Sequence, residues 1–168
     1  MTLLFAQPYD IAASGFYFGD FETYRDLAAK AVNRYGEPVE EFEIQFIDGD
    51  DLDCALADAF GLNQANLKLF FGTVEEAEMF DKLKIVIAVR DCGYDLDPVL
   101  SNPDSVDIDI LHVSSIRELA EQFVDEGVFG PIPETLQNYI DIHAIARDLE
   151  MDISEVTIVG ETYVYRRG

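Results

Sequence analysis

Basic residues are what this sequence has least of. Eleven lysines and arginines stand against 34 aspartates and glutamates, and the formal net charge is -23. Such a charge repels duplex nucleic acid and anionic membrane and attracts basic partners, so direct DNA binding is not expected. Cysteine is also scarce. Cys54 and Cys92 make no disulfide framework and are too far apart for a redox C-x-x-C pair. Long hydrophobic runs are missing, and none approaches the roughly 18 residues that a membrane span needs. The opening Met1-Thr2-Leu3-Leu4-Phe5 has no basic stretch of the kind that starts a signal peptide. A cytoplasmic setting with both thiols reduced is therefore expected. Tryptophan is absent, but 12 Phe and 8 Tyr supply bulky core material. Hydrophobic residues make up 49% of the chain, too many for one kept disordered by its charge. The chain should fold, as one domain or as a few small subdomains sharing a core.

Motifs for catalysis and cofactor binding are lacking as well. No Gly-Lys-Ser/Thr follows the scattered glycines, and there is no G-x-S-x-G. Asp48-Gly49-Asp50-Asp51-Leu52-Asp53 invites a calcium reading. An EF-hand loop starting at Asp48 would need an oxygen ligand at its fifth position, Gly at its sixth and Glu at its twelfth. This chain has Leu52, Asp53 and Ala59 there. Asp107 and Asp109 share one strand face while His112 falls on the other, which predicts a solvated face rather than a metal site. His143, on the polar side of its helix, has no second histidine nearby. Cys54, beside Leu52, Ala55 and Leu56, reads as a buried structural thiol. Carboxylate pairs discriminate nothing when acids are this dense. No enzymatic activity, metal or cofactor is predicted.

What is present is acid, spread through segments that should fold. Residues 1–56 carry a net charge of -9, and residues 57–112 and 113–168 carry -7 each. An acidic tail would concentrate it in one block. Residues 3–7 and 15–18 read as strands. Asp20 caps a helix with Phe21, Tyr24, Leu27, Ala28 and Ala31 inward, ended by Gly36 and Pro38. Residues 41–48 alternate as a strand with one apolar face. Residues 51–60, 63–71 and 74–80 read as short helices, the last opened by a Thr73/Glu76 capping box. The apolar run at 83–89 reads as a strand buried on both faces, residues 91–105 as a loop, and residues 106–110 as another strand. Ser115 and Glu118 form a capping box for a helix with Ile116, Leu119, Ala120, Phe123 and Val124 on one face, ended by Gly127. A helical turn is expected at 134–139. Asp141 caps a last helix with Ile142, Ile145, Ala146 and Leu149 inward. Residues 156–159 and 163–165 read as a hairpin around Gly160. The pattern is α+β with small mixed or antiparallel sheets.

The acids also have a spacing. Glu118, Glu121 and Asp125 follow i, i+3, i+7, one row on one helix face, about 4.5 to 6 Å apart along the axis. Duplex DNA spaces charge at about 3.4 Å per strand, and 34 carboxylates match roughly 17 base pairs of phosphates. Any merely acidic protein passes the same arithmetic. A solvated surface, as in halophilic proteins with few lysines, stays open on composition and spacing.

The stretch from Glu118-Leu119-Ala120-Glu121-Gln122-Phe123-Val124-Asp125-Glu126-Gly127 through Val128-Phe129-Gly130-Pro131-Ile132-Pro133-Glu134 to Tyr139-Ile140-Asp141-Ile142-His143-Ala144-Ile145-Ala146-Arg147-Asp148-Leu149 resembles the ArdA antirestriction family. Tyr9-Asp10 followed by Gly15 is similar to the family's opening, with Phe16-Tyr17-Phe18 in place of a Gly-x-Trp. The resemblance implies a non-enzymatic DNA mimic that occupies the DNA-binding groove of type I restriction-modification enzymes. It also implies an elongated homodimer of three small subdomains in series, with bounds expected at 1–60, 61–103 and 104–168. The carboxylates expected to stand in for phosphates are Glu40, Glu41, Glu43, Asp48, Asp50, Asp51, Asp53, Glu75, Glu76, Asp107, Asp109, Glu118, Glu121, Asp125, Glu126, Asp148 and Glu150. The alternatives are an acidic adaptor or inhibitor for another basic protein, or an enzyme with an unrecognised site.

Overall fold

A computed structural model describes residues 1–103 and 106–168. The chain divides into two compact units, Met1–Pro103 and Asp104–Gly168. Each is α+β, and each holds one antiparallel three-stranded sheet.

In the first unit, β1 (Leu3–Pro8) lies between β2 (Phe16–Phe18) and the edge strand β3 (Phe42–Asp48). Alternation puts Phe42 and Ile44 inward and Glu43 and Gln45 outward, as a half-buried strand requires. Helices α1 (Phe21–Ala28), α2 (Asp51–Phe60), α3 (Leu67–Glu76), α4 (Met79–Val86) and α5 (Leu96–Ser101) complete the unit. Its core joins Leu4, Phe18, Leu56, Leu67, Phe70 and Leu83, all under 2% exposed. Rings of Phe16, Phe18, Tyr24 and Phe42 pack with centroids 4.9–6.4 Å apart, in the tilted and edge-on geometries that aromatic quadrupoles favour. Asp20 caps α1 as expected, accepting from the Thr23 N–H at 2.7 Å, but the helix stops at Ala28, well before Gly36.

Three further expectations fail in this unit. Residues 83–89 are helical, not a strand: α4 runs on into a π-helical turn, Ile87–Asp91. Leu83, Ile85, Val86, Ile87 and Ala88 are all buried. A short helix buried all round gives the same continuous apolar run as a strand buried on both faces, so periodicity cannot separate them. Thr73 opens no helix. It lies inside α3, and its hydroxyl donates back to the Leu69 carbonyl at 2.9 Å, a local bond that competes with its use as a cap. The stretch 91–105 is not all loop, because α5 sits within it; residues 104 and 105 lie outside the described residues.

In the second unit the sheet order is β4 (Ile108–Leu111), β6 (Glu161–Arg167), β5 (Ile153–Ile158). Helices α6 (Ile116–Asp125) and α8 (Ile142–Leu149) pack together, with the short α7 (Glu134–Gln137) between them in sequence. Ile116, Leu119, Ala120, Ala146, Ile153 and Val164 form the core. The expected caps are present: Ser115 accepts from the Glu118 N–H at 3.0 Å, and Asp141 from the Ala144 N–H at 3.1 Å.

The β5–β6 hairpin turns on Val159 and Gly160, with φ of 54° and 78°. Two positive φ values match the twist of antiparallel strands, and Asn-Gly is the pair that suits them. A β-branched valine is badly placed there. Val159→Asn should therefore stabilise the protein by about 1 kcal/mol in urea unfolding, the approximate cost of holding an L-residue in that region. An unchanged midpoint would mean that the turn relaxes at no cost.

Candidate functional site

The acids are on the surface. Of the 33 described carboxylates, 30 are exposed, Asp10 and Glu118 are half-buried, and Asp53 is buried. Fifteen of the 17 residues expected to mimic phosphates are among the exposed ones.

On the first unit, Glu40, Glu41 and Glu43 stand at the start and on the outer face of β3. Gln64 fixes that strand's entry: its amide oxygen accepts from the Phe42 N–H at 2.8 Å and its nitrogen donates to the Glu40 carbonyl at 3.0 Å. Alternate strand residues lie about 6.8 Å apart, twice the axial phosphate step. The acidic run at 48–53 splits. Asp48, Asp50 and Asp51 face solvent, and Asp50 caps α2 through the Leu52 N–H at 2.9 Å. Asp53 points inward and is a correction to the expected set. It is 6% exposed, accepts from Lys82 Nζ at 2.7 Å and from the Thr2 hydroxyl at 3.3 Å. One helical turn past the N-cap, it falls on the buried side of α2, where only a cation makes a carboxylate tolerable.

On the second unit, Asp107 and Asp109 are exposed, but Asp109 pairs with Arg166 at 2.8 Å across the β4–β6 ladder. The row on α6 is uneven for the same kind of reason. Glu118 folds back, and its carboxylate accepts from the Ser114 N–H at 2.8 Å and the Ser114 hydroxyl at 2.6 Å. The capping box thus closes on the residue before the cap. Glu121 pairs with Arg117 at 3.1 Å. Asp125 and Glu126 remain exposed.

Acids stand at both ends of the helices, as caps and first-turn residues at the start and also at the finish. Glu75 and Glu76 end α3, Asp125 and Glu126 end α6, and Asp148 and Glu150 end α8. All six are exposed. A helix C-terminus carries partial negative charge, so acids there oppose helix stability. Cations are scarce at these ends. The last turns of α3 and α6 hold none, and that of α8 holds Arg147. Asp58, exposed near the end of α2, is a seventh case that sequence reading missed; the last-turn position was the signal.

Hydrogen bonds to the ionised form hold three carboxyls below their usual range. Asn33 and then the Ala12 N–H do so for Asp10, the Thr23 backbone and hydroxyl for Asp20, and the Ser114 hydroxyl and N–H for Glu118. Their contribution to stability is complete above the ordinary carboxyl value of about 4 and is lost as pH falls through the depressed folded values. Acidification from about pH 4.5 to 2.5 should therefore lower the thermal midpoint, and less so in Asp20→Ala and Glu118→Ala. A parallel acid limb in all three proteins would remove these groups from the cause.

Little on the surface resembles a reaction centre. Burial, with Asp58 and Asp51 nearby, pushes the Cys54 thiol up, away from the thiolate that nucleophilic chemistry needs. No cluster of three or more His, Cys, Asp or Glu side chains suited to a metal occurs among the described residues. A groove of about 520 Å³ beside α3 and α4 is lined by Leu69, Gly72, Ala77, Ile85 and Leu100, with Lys68, Glu76 and Asp81 on it and neither His nor Cys.

Fold and surface together define an acidic α+β protein whose charge faces outward. The chain matches the antirestriction protein family ArdA over residues 7–165 and belongs to that family. It is an antirestriction protein. No curated protein matches it. No helix of the described residues is long and apolar enough to cross a membrane.

Proposed function

We propose that this protein is a non-enzymatic DNA mimic that occupies the DNA-binding groove of a type I restriction-modification enzyme. Exposed carboxylates stand in for phosphates, pair with the enzyme's lysines and arginines, and release counterions from both surfaces. It acts as a homodimer in the cytoplasm, with subdomains at 1–60, 61–103 and 104–168, and binds neither nucleic acid nor membrane itself. The observation that carries this reading is the outward placement of the charge: 30 of the 33 described carboxylates are exposed, and six of them stand at the ends of α3, α6 and α8, where they oppose helix stability. A surface charged only for solubility has no reason to put carboxylates where they weaken its own helices, whereas a surface shaped for a partner does. The working set is the expected one without Asp53, with Glu118, Glu121 and Asp109 weakened by their internal partners.

The protein should displace DNA from a purified type I restriction-modification enzyme at low salt. Displacement should weaken by about a thousandfold or more between 50 and 200 mM salt, as for roughly six to ten phosphate-like ion pairs. DNA binding left untouched at low salt would sink the proposal.

A further inference from the structure

One loop of the first unit holds a single side chain in a fixed place. Helix α2 ends at Gly61, in the left-handed region at φ 54°, and α3 begins at Leu67. Between them two asparagines fix the backbone. The Asn63 carboxamide oxygen accepts from the Ala65 N–H at 2.9 Å, and its nitrogen donates to the Gly61 carbonyl at 3.0 Å. The Asn66 oxygen accepts from the Asn63 N–H at 2.8 Å, and its nitrogen donates to the Phe60 carbonyl at 2.9 Å. Side-chain bonds of this kind supply the backbone partners that a loop otherwise lacks. Gln64, enclosed by these bonds, reaches out of the loop to residues 40 and 42.

There Gln64 stands in for a missing strand. Strand β3 is at the sheet edge, with β1 on one side only. On that side the Tyr9 N–H donates to the Glu41 carbonyl at 3.2 Å, and Pro8 is in register with Phe42. On the other side the Glu40 carbonyl and the Phe42 N–H meet the one carboxamide of Gln64, at 3.0 and 2.8 Å. A parallel neighbouring strand would bond a carbonyl and the N–H two residues on in the same way. Phe42 is 4% exposed, and its ring lies 5.3 Å from that of Phe16. Residues 40–42 are thus clamped on both edges and through the core. Glu40 and Glu41 remain exposed on this clamped backbone. Unlike Glu121 and Asp109, neither takes a lysine or arginine partner among the described residues.

We infer that Gln64 is a positioning residue for partner binding, which holds Glu40 and Glu41 where the target's cations meet them. The inference rests on the DNA-mimic reading. A carboxylate on a loose chain keeps its charge, but that chain must be ordered when the partner binds. On a clamped backbone the ordering is complete beforehand, and more of the ion-pair energy appears as affinity. Gln64 itself is uncharged, so it releases no counterions, and salt separates its effect from that of the acids it holds.

The test is a double-mutant cycle on the full chain: the parent, Gln64→Ala, Glu40→Gln with Glu41→Gln, and all three together. Each is titrated onto a purified type I restriction-modification enzyme at several NaCl concentrations, with thermal melts to verify folding. Gln64→Ala should weaken binding of the parent about 10-fold and leave the slope of affinity against salt unchanged. The paired Glu variant should make that slope shallower by about two. In its background Gln64→Ala should cost less than about twofold, because the groups it positions are gone. Gln64→Met keeps the length of the side chain without its hydrogen bonds and should bind like Gln64→Ala; binding like the parent would overturn the inference. Hydrogen exchange at the Phe42 amide should quicken in both Gln64 variants, and unchanged exchange would also overturn it. Equal losses in both backgrounds would give Gln64 a contact of its own or a general structural role, and end the proposal. A paired Glu variant that binds like the parent would end it too, while leaving mimicry by the other acids standing. A parent protein that fails to bind at low salt would overturn both readings.

Discussion

Lys82→Met is expected to destabilise the first unit by about 3–5 kcal/mol, more than a typical single substitution costs. Lys82 holds Asp53 at 2.7 Å, and their side chains are only 13% and 9% exposed. Removing the cation strands a carboxylate inside the protein with the Thr2 hydroxyl as its other partner, and one neutral hydrogen bond cannot replace the missing solvation. Urea unfolding measures the destabilisation. The double variant Asp53→Leu with Lys82→Met should recover most of it, because replacing both charges removes the desolvation cost along with the attraction. A single variant as stable as the parent would mean that water reaches Asp53. Asp53→Asn alone should leave displacement of DNA from the target enzyme unchanged, since a buried carboxylate presents nothing to a partner.

Neutralising Glu75, Glu76, Asp125, Glu126, Asp148 and Glu150 together, as Gln or Asn, is expected to move stability and function in opposite directions. Each helix end is relieved of an unfavourable dipole interaction of about 0.3–1 kcal/mol, so unfolding should shift to higher temperature. Binding to a type I restriction-modification enzyme should weaken by about a thousandfold at low salt if all six meet cations. The salt slope should become shallower by about one for each intermolecular ion pair removed. Equilibrium titration at several salt concentrations, beside a thermal melt, reads both. Higher stability with unchanged binding would remove these six from the partner surface. Abolition by any one of them would point to a discrete site instead of a summed field.

Both sets of substitutions concern carboxylates that look alike in the sequence, and there sequence reading reached its limit. Caps were legible because they are local: Asp20, Ser115 and Asp141 each serve an N–H three residues on, and no distant contact alters that. The strand at β3 was legible because its period of two survives wherever one face is wet. Residues 83–89 were not, since burial on every side erases the period that distinguishes a helix from a strand. Nor was the fate of single acids. Glu118 turns back to Ser114, Glu121 and Asp109 take arginine partners, and Asp53 goes inside; these depend on local side-chain geometry and on residues as distant as Lys82 and Arg166.

By itself the sequence determined the sign and density of the charge, the α+β class, most helix caps and the stretch that places the chain in its family. These follow from composition and from interactions a few residues long. Only the tertiary structure decided which carboxylates remain exposed to solvent and which are paired or buried within the fold. Whether a charge is solvated, paired or buried is set by what packs against it, and packing joins residues that the sequence keeps far apart.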